Sequence, residues 1–312
     1  MGFRNRFFTG LLILSLPLLL TSDGGVISVT GAISIEELKR HVRNIHFDRN
    51  PFDCFQALER AAEYVRQEFS KAGFSAQNEL IRWEGKKSHN VVAEKKGTIA
   101  PERVVILGAH YDTVPGSPGA DDNASAVAVL LEVARNMRAI PLKSTIRFIA
   151  FTLEEYGYVG STHHARKARK EGEEIVGMIS LEMVGFTAPR QSYPHYIDTR
   201  NYPIVGNFIG IVGNTRSENL LGKVRQSLRT HVPELPAEFL IVPGNGEGLE
   251  AVRLSDHSSF WDENYPALMV TDTAFLRNPN YHLPTDTLET LDLEFMGKVA
   301  IGIYHSMVEL TK

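Results

Sequence analysis

Apolar residues follow two alternating patterns along the chain, one typical of helices and one typical of buried strands. Residues 35–45 and 54–72 carry apolar side chains at helical spacing, and Gly73 follows the second run as a helix stop. Further helical patterns cover residues 124–137, 162–170, 220–229 and 291–310. Short runs rich in β-branched residues predict strands at 90–93, 104–107, 145–151, 178–181 and 267–270.

The alternation of continuous apolar strands with helices predicts an α/β fold, with a mostly parallel central sheet flanked by helices on both faces. No repeat, linker or shift in composition interrupts residues 33–312, so we predict a single domain over that range. In such a sheet, ligand sites lie beyond the carboxyl ends of the strands. The polar residues that follow each strand therefore become the candidates for chemistry.

Residues 1–32 are predicted to be a signal peptide or an N-terminal membrane anchor with a short linker. Arg4 and Arg6 precede an almost unbroken apolar run over residues 7–20, which is the layout of a secretory signal. The run is shorter than the roughly 20 residues of a transmembrane helix. We expect an exported protein, periplasmic or secreted, which contacts the membrane only through residues 7–20 if the segment is not cleaved. A buried N-terminal helix of a cytoplasmic protein is the alternative.

Composition and charge exclude several classes of protein. The 33 basic and 37 acidic residues give a net charge of −4, without the basic excess that binding to nucleic acid requires. The chain has one cysteine, Cys54, so it has neither an internal disulfide nor a thiolate metal cluster. Nothing in the composition indicates the oligomeric state.

Histidine and carboxylate residues follow the predicted strands one after another. The strands at 104–107, 145–151 and 178–181 each lead into a histidine or a glutamate. The turn before the helix at 124–137 and the loop before the last helix add further residues of the same kinds. The set is His110, Asp112, Asp121, Glu154, Glu155, Glu182 and His282.

This set predicts a metal centre. Nitrogen and oxygen ligands without sulfur suit zinc first, with manganese or cobalt as alternatives. The ligands outnumber those of one tetrahedral ion, and they fit two ions about 3.5–4 Å apart that share a bridging carboxylate. Each motif alone has an ordinary explanation, since paired aspartates cap helices and paired glutamates occupy solvated turns. Their succession at strand ends favours the metal site.

The same motifs resemble the zinc-dependent aminopeptidases of metallopeptidase family 28, which are exported di-zinc exopeptidases. The resemblance covers about residues 35–312. Its motifs are residues 108–112 (Gly-Ala-His-Tyr-Asp), 119–123 (Gly-Ala-Asp-Asp-Asn), 154–161 (Glu-Glu-Tyr-Gly-Tyr-Val-Gly-Ser) and 281–287 (Tyr-His-Leu-Pro-Thr-Asp-Thr). It implies a phosphorylase/hydrolase-like zinc peptidase fold and peptide substrates with a free N-terminus.

The resemblance also implies a role for each residue. Asp121 would bridge two zinc ions, with His110 and Glu182 completing one site and Glu155 and His282 the other. Glu154 would be the general base that deprotonates the attacking water, and Asp112 would orient the His110 imidazole. Tyr281 is a candidate donor to the developing oxyanion.

Two features depart from the family pattern. The family often has aspartate where this chain has Glu182, and Asp256 with His257 forms a second candidate pair, which we expect to line the pocket. The pocket wall is expected to come from residues 185–203 and 242–259. Two rival functions are a glutaminyl-peptide cyclotransferase with a single zinc, and a receptor-like binding module without catalysis. The complete ligand set argues against both.

Overall fold

A mixed eight-stranded sheet runs through residues 33–312, the part of the chain that this computed structural model describes. The spatial order of the strands is β1-β2-β4-β3-β5-β8-β6-β7. Their bounds are β1 Ala76–Trp83, β2 Lys86–Lys95, β3 Ala100–His110, β4 Ser144–Phe151, β5 Glu174–Glu182, β6 Ile209–Asn214, β7 Ala237–Val242 and β8 Ala267–Thr271. The signal peptide or anchor predicted for residues 1–32 lies outside the described residues.

The predicted α/β fold is confirmed, but the sheet is mixed rather than mostly parallel. The four strands β4, β3, β5 and β8 are neighbours and all parallel, and they are four of the five strands that the apolar runs predicted; the fifth, at 90–93, is the antiparallel β2. At one edge, β1 and β2 form an antiparallel hairpin, and β2 pairs antiparallel with β4. At the other edge, β6 runs antiparallel to β8 and parallel to β7.

Local sequence explains the hairpin at the first edge. Glu84 and Gly85 join β1 to β2, with φ values of 46° and 77°. Two successive residues with positive φ are typical of a tight turn whose twist matches that of an antiparallel pair. Because β1 is half exposed, it has no continuous apolar run, and the sequence did not predict it.

Helices cover both faces of the sheet, as predicted. Their bounds are α1 Ile35–Ile45, α2 Phe55–Lys71, α3 Ala126–Met137, α4 Val159–Glu171, α5 Glu218–His231, α6 His257–Asp262 and α7 Leu293–Thr311. Apolar residues of α1, α2, α3, α5 and α7 share one core cluster with the sheet, and those of α4 and α6 share another. Within residues 33–312, no helix has the length and hydropathy needed to cross a bilayer.

The order of the parallel strands brings three of the predicted motifs to one place. Strands β4, β3 and β5 are adjacent, and they run in the same direction. His110 is the last residue of β3 and Glu182 the last of β5, while Glu154 and Glu155 follow the end of β4. The carboxyl edge of the sheet is therefore where these side chains meet.

Candidate metal centre

Two groups of three ligand-type side chains lie at the carboxyl edge of the sheet. The first contains His110, Glu154 and Glu182, and the second contains Asp122, Glu155 and His282. Within each group, the candidate ligand atoms lie within 4.8 Å of one another. Five of the six residues were predicted from the sequence to take part in the centre.

Asp122 stands between the two groups. Its Oδ1 is 3.3 Å from Nε2 of His110, and its Oδ2 is 3.2 Å from Nε2 of His282. Glu182 Oε2 lies 3.6 Å from His110 Nε2, and Glu155 Oε2 lies 3.1 Å from His282 Nε2. One carboxylate thus faces both histidines, each of which has its own glutamate.

This geometry corrects the position that the sequence analysis gave to Asp121. The Asp121 carboxylate accepts hydrogen bonds from the backbone N–H of Gly185 at 2.9 Å and from Asn278 Nδ2 at 2.8 Å. Asp122 has non-helical backbone angles of φ −100° and ψ 87°, and its carboxylate contacts different groups from that of Asp121. Asp122 is therefore the residue directed at the histidines.

The chemistry of the site fits metal ions. Several buried side-chain atoms have no hydrogen-bond partner, although oppositely charged groups are close. They are Asp122 Oδ1, Glu155 Oε1, Glu182 Oε2 and His282 Nε2. Buried polar atoms without partners are costly unless something else satisfies them. Imidazole nitrogens and carboxylate oxygens, converging without sulfur, are a donor set that zinc prefers.

Burial is the largest influence on the pKa values of these side chains. It raises the pKa of Glu154, and it raises the pKa of Glu155 to about 7, with a further contribution from the negative charge of Asp122. Burial lowers the pKa of His282, but the bonds to Asp122 and Glu155 outweigh it and raise the value to about 10. Buried acids that repel one another around two histidines are the charge pattern that bound cations stabilise.

Asp112 lies between His110 and the backbone that carries the two glutamates. Its Oδ1 is 3.7 Å from Nδ1 of His110, which is too long for a hydrogen bond. Instead, its two oxygens accept the backbone N–H groups of Glu154 and Glu155, at 3.1 and 3.2 Å. Asp112 therefore fixes the backbone that presents the two glutamates, and its role in orienting the His110 imidazole stays a prediction.

Asp286 and Arg49 are supporting residues that the sequence analysis did not single out. The Asp286 oxygens accept the backbone N–H groups of Asp121 and Asp122 at 2.9 and 3.0 Å, which fixes the turn that carries Asp122. The buried Arg49 donates to backbone carbonyls of the loop before this turn, including Gly119 at 2.9 Å. Asp286 belongs to the motif at 281–287, and its position in that motif is the sequence feature that could have identified it.

Tyr281 lies at the mouth of the centre. Its ring stacks on the imidazole of His282, with centroids 3.7 Å apart. Together with Glu154, Glu155 and Asp122, it lines a cavity of about 450 Å³, a volume that includes the open entrance. Burial raises the pKa of its phenol, which keeps the hydroxyl protonated and able to donate.

The pair Asp256 and His257 does not line this cavity, contrary to the prediction. His257 is fully buried, packs edge-on against Trp261 and places Nε2 2.9 Å from the carbonyl oxygen of Val252. Burial lowers its pKa to about 3, so the ring stays neutral. Asp256 is also fully buried, and neither of its carboxylate oxygens has a hydrogen-bond partner.

Comparison with known proteins gives a family match that spans most of the sheet. The model of the family described as Peptidase family M28 matches residues 90–307. The uncharacterized protein YfbL of Escherichia coli is 34% identical over 288 residues, which are 86% of this chain and 86% of that protein. A probable leucine aminopeptidase of Arthroderma benhamiae is 28% identical, over 89% of this chain and 74% of its own length.

Solved structures share the fold. The LapA aminopeptidase of Legionella pneumophila is similar with a TM-score of 0.71 and 20% identity, covering 89% of this chain and 72% of that one. The glutaminyl cyclase of Porphyromonas gingivalis is similar with a TM-score of 0.68 and 18% identity, covering 90% of this chain and 100% of that one. At these sequence identities the structural similarity shows a shared fold only, because proteins with the same fold can have different activities.

Proposed function

Because the chain belongs to peptidase family M28 and is therefore a peptidase, we propose that it is an aminopeptidase that works with two zinc ions. The observation that carries the proposal is the Asp122 carboxylate, which faces His110 with one oxygen and His282 with the other. A carboxylate shared between two groups of ligands is the arrangement of a two-metal hydrolytic site.

The ligand assignment follows the two groups. His110 and Glu182 would hold one ion, Glu155 and His282 would hold the other, and Asp122 would bridge them. Glu182 is longer than the aspartate common in the family, yet its Oε2 lies 3.6 Å from Nε2 of His110 and lacks a hydrogen bond. The longer side chain therefore still places an oxygen beside the histidine.

Glu154 is the proposed general base. When bound, the zinc ions would lower the pKa of a water molecule and polarise the scissile carbonyl. Glu154 would accept the proton from the attacking water and return it to the leaving amine. Its carboxylate lines the cavity, with Oε2 4.0 Å from Nε2 of His110, while Asp112 fixes its backbone. Tyr281 would donate a hydrogen bond to the oxyanion.

The groups that line the cavity support cleavage from the N-terminus. The carboxylates of Glu154, Glu155 and Asp122 line the space that a substrate would enter, and two of them are proposed zinc ligands. A free α-amine would sit against a bound ion or the Glu154 carboxylate, whereas a blocked N-terminus would lack the nitrogen that makes either contact. This supports peptides with a free N-terminus as the substrates.

The test is Glu154→Gln in zinc-loaded protein. We expect zinc content to remain at two equivalents and turnover of aminoacyl substrates to fall by about 10²–10⁴-fold, because the amide keeps the shape but cannot accept the proton. Glu171→Gln, at the exposed end of α4, is the matched control and should retain full activity. Near-normal turnover of the Glu154→Gln enzyme with its zinc bound would exclude Glu154 as the base.

Zinc content also separates this proposal from its rivals. A glutaminyl-peptide cyclotransferase needs one ion and would convert N-terminal glutamine peptides without water, while a binding module would need neither ion nor turnover. The similarity in fold to a glutaminyl cyclase is the reason to test the cyclotransferase function beside the aminopeptidase function. Two equivalents of zinc, with hydrolysis of free but not N-blocked substrates, support the aminopeptidase. One equivalent, with release of a cyclised product, supports the cyclotransferase.

A further inference from the structure

A second cavity, lined mostly by apolar side chains, opens beside the metal centre. It shares Glu182, Leu254 and Tyr281 with the smaller cavity, so the two are continuous at these residues. Its volume is about 900 Å³ including the open mouth, which is larger than any single side chain. Its walls come mainly from residues 193–202 and 251–254, as the sequence analysis expected, and its floor is the sheet.

The strand register defines that floor. Glu182 of β5 pairs with Thr271 of β8, Thr271 pairs with Gly210 of β6, and Gly210 pairs with Glu238 of β7. Directly paired residues lie side by side on the same face of a sheet. The row therefore leads from a proposed zinc ligand, across three strand spacings of about 5 Å each, to a second glutamate.

Gly210, in the row of paired residues, leaves space above the cavity floor. Gly210 has no side chain, and a Cβ there would lie 3.3 Å from the carbonyl oxygen of Thr271. The next row on the same face is Met269, Val212 and Leu240, whose apolar side chains complete the floor. A ligand side chain that enters from the metal centre thus meets apolar surface along its length and a carboxylate at the far end.

Glu238 is the one acidic side chain in this cavity outside the metal centre. Among residues 33–312 it makes no hydrogen bond or ion pair, and burial raises the pKa of its carboxyl. Arg277 stacks on Phe208, which lines the cavity, and donates to Gln191 at 2.8 Å; among residues 33–312 no ion pair joins it to Glu238. Aromatic rings of Tyr193, Tyr202 and Phe239 line the same cavity. A carboxylate beside apolar and aromatic walls is complementary to a cation on an apolar stem.

We propose that this cavity receives the side chain of the substrate's N-terminal residue and that Glu238 selects arginine and lysine. The inference rests on the proposed aminopeptidase function, since the cavity matters only if the scissile bond lies at the metal centre. From β8 to β7 the floor spans two strand spacings, about 10 Å, which suits a long extended side chain with a charged tip. Leucine and methionine fit the apolar floor but leave Glu238 without a partner.

The test compares arginine with citrulline, its uncharged isostere, as N-terminal residues of otherwise identical substrates. For the zinc-loaded wild type we expect kcat/KM for arginine to exceed that for citrulline by about tenfold, the scale of a hydrogen bond to a charged group. In Glu238→Gln the ratio should fall toward one. Glu234→Gln, on the exposed loop before β7, is the matched control and should keep the wild-type ratio. Calorimetric binding of arginine amide and citrulline amide should show the same contrast.

The outcomes separate this inference from the function on which it rests. Equal rates for arginine and citrulline in the wild type, or a ratio unchanged by Glu238→Gln, would overturn the role of Glu238 while leucine substrates are still cleaved. Failure of the zinc-loaded enzyme to cleave any free N-terminal residue would overturn the aminopeptidase function itself, and the role of Glu238 with it.

Discussion

Replacement of each of the two adjacent aspartates by asparagine would decide which of them bridges the metal ions. Asp122 faces His110 at 3.3 Å and His282 at 3.2 Å, so Asp122→Asn removes a charged ligand from both proposed sites. Loss of a residue that only orients a ligand weakens metal binding by about 10–100-fold. We expect at least the upper value for a direct ligand, or about 3 kcal/mol of binding free energy for each ion.

Asp121→Asn is the matched control, because it changes the same charge one residue away. The amide of this variant would keep one acceptor oxygen where Asp121 has two, which accept from Gly185 N–H and Asn278 Nδ2. One buried donor would lose its partner, at a cost of about 1–3 kcal/mol of folding free energy. We expect this variant to bind two zinc ions with nearly wild-type affinity and to unfold at a lower urea concentration in chelator.

Competition with a chromophoric chelator measures both zinc affinities, and elemental analysis after dialysis gives the stoichiometry. Thermal unfolding adds an independent readout, because an ion that binds only the folded state stabilises it by RT ln(1 + [Zn]/Kd). At equal free zinc, Asp122→Asn should lose about 3 kcal/mol of this stabilisation per ion for a 100-fold weaker Kd. The reverse pattern, with zinc lost from Asp121→Asn and retained by Asp122→Asn, would refute our assignment of the bridging residue.

Three further predictions test the surroundings of the centre. Asp286→Asn keeps only one of the two acceptors that hold the backbone N–H groups of Asp121 and Asp122, so zinc should bind about tenfold more weakly in the chelator assay; unchanged affinity would contradict the positioning role. His257 has its pKa lowered by burial to about 3, below its value of 6.5 in the unfolded chain, so acidification below pH 6.5 should favour unfolding. Between pH 7 and pH 5 the loss should be about 2 kcal/mol greater for the wild type than for His257→Gln in urea titrations, and equal losses would oppose this explanation. Gly210→Leu should fill the cavity floor and lower kcat/KM for N-terminal arginine relative to alanine by about tenfold or more, and an unchanged ratio would show that the side chain does not enter there.

The parallel centre of the sheet was predictable because its strands are buried on both faces. Every residue of β4 is buried, and the last seven residues of β3 are buried as well. Such strands give continuous apolar runs, which stand out in a sequence. Their carboxyl ends then predicted which residues meet, and His110, Glu154 and Glu182 do meet there.

The sequence could not predict which of Asp121 and Asp122 faces the two histidines, and the reason is geometric. Both residues are acidic, adjacent and buried, and both carboxylates have specific partners. Which side chain faces the histidines depends on the backbone angles of a short turn, and a distant residue, Asp286, holds that turn in place. Contacts separated by more than 160 positions leave no local pattern.

The sequence did not predict the cavity floor, because the rule that ligand sites lie beyond the carboxyl ends of parallel strands does not apply to β6 and β7. Strand β6 runs antiparallel to β8, so the amino ends of β6 and β7 stand beside the carboxyl ends of β8 and β5. Gly210 and Glu238 are each the second residue of their strand and therefore lie at its amino end. The rule used for the parallel strands considers only residues that follow their carboxyl ends. The features that form the cavity also weaken the strand signal, since a glycine opens the floor and an acid interrupts the apolar run of β7. The antiparallel edge thus places the proposed side-chain cavity beside the candidate metal centre of the parallel block. A substitution at Gly210 or Glu238 would therefore test the proposed specificity without replacing any proposed metal ligand.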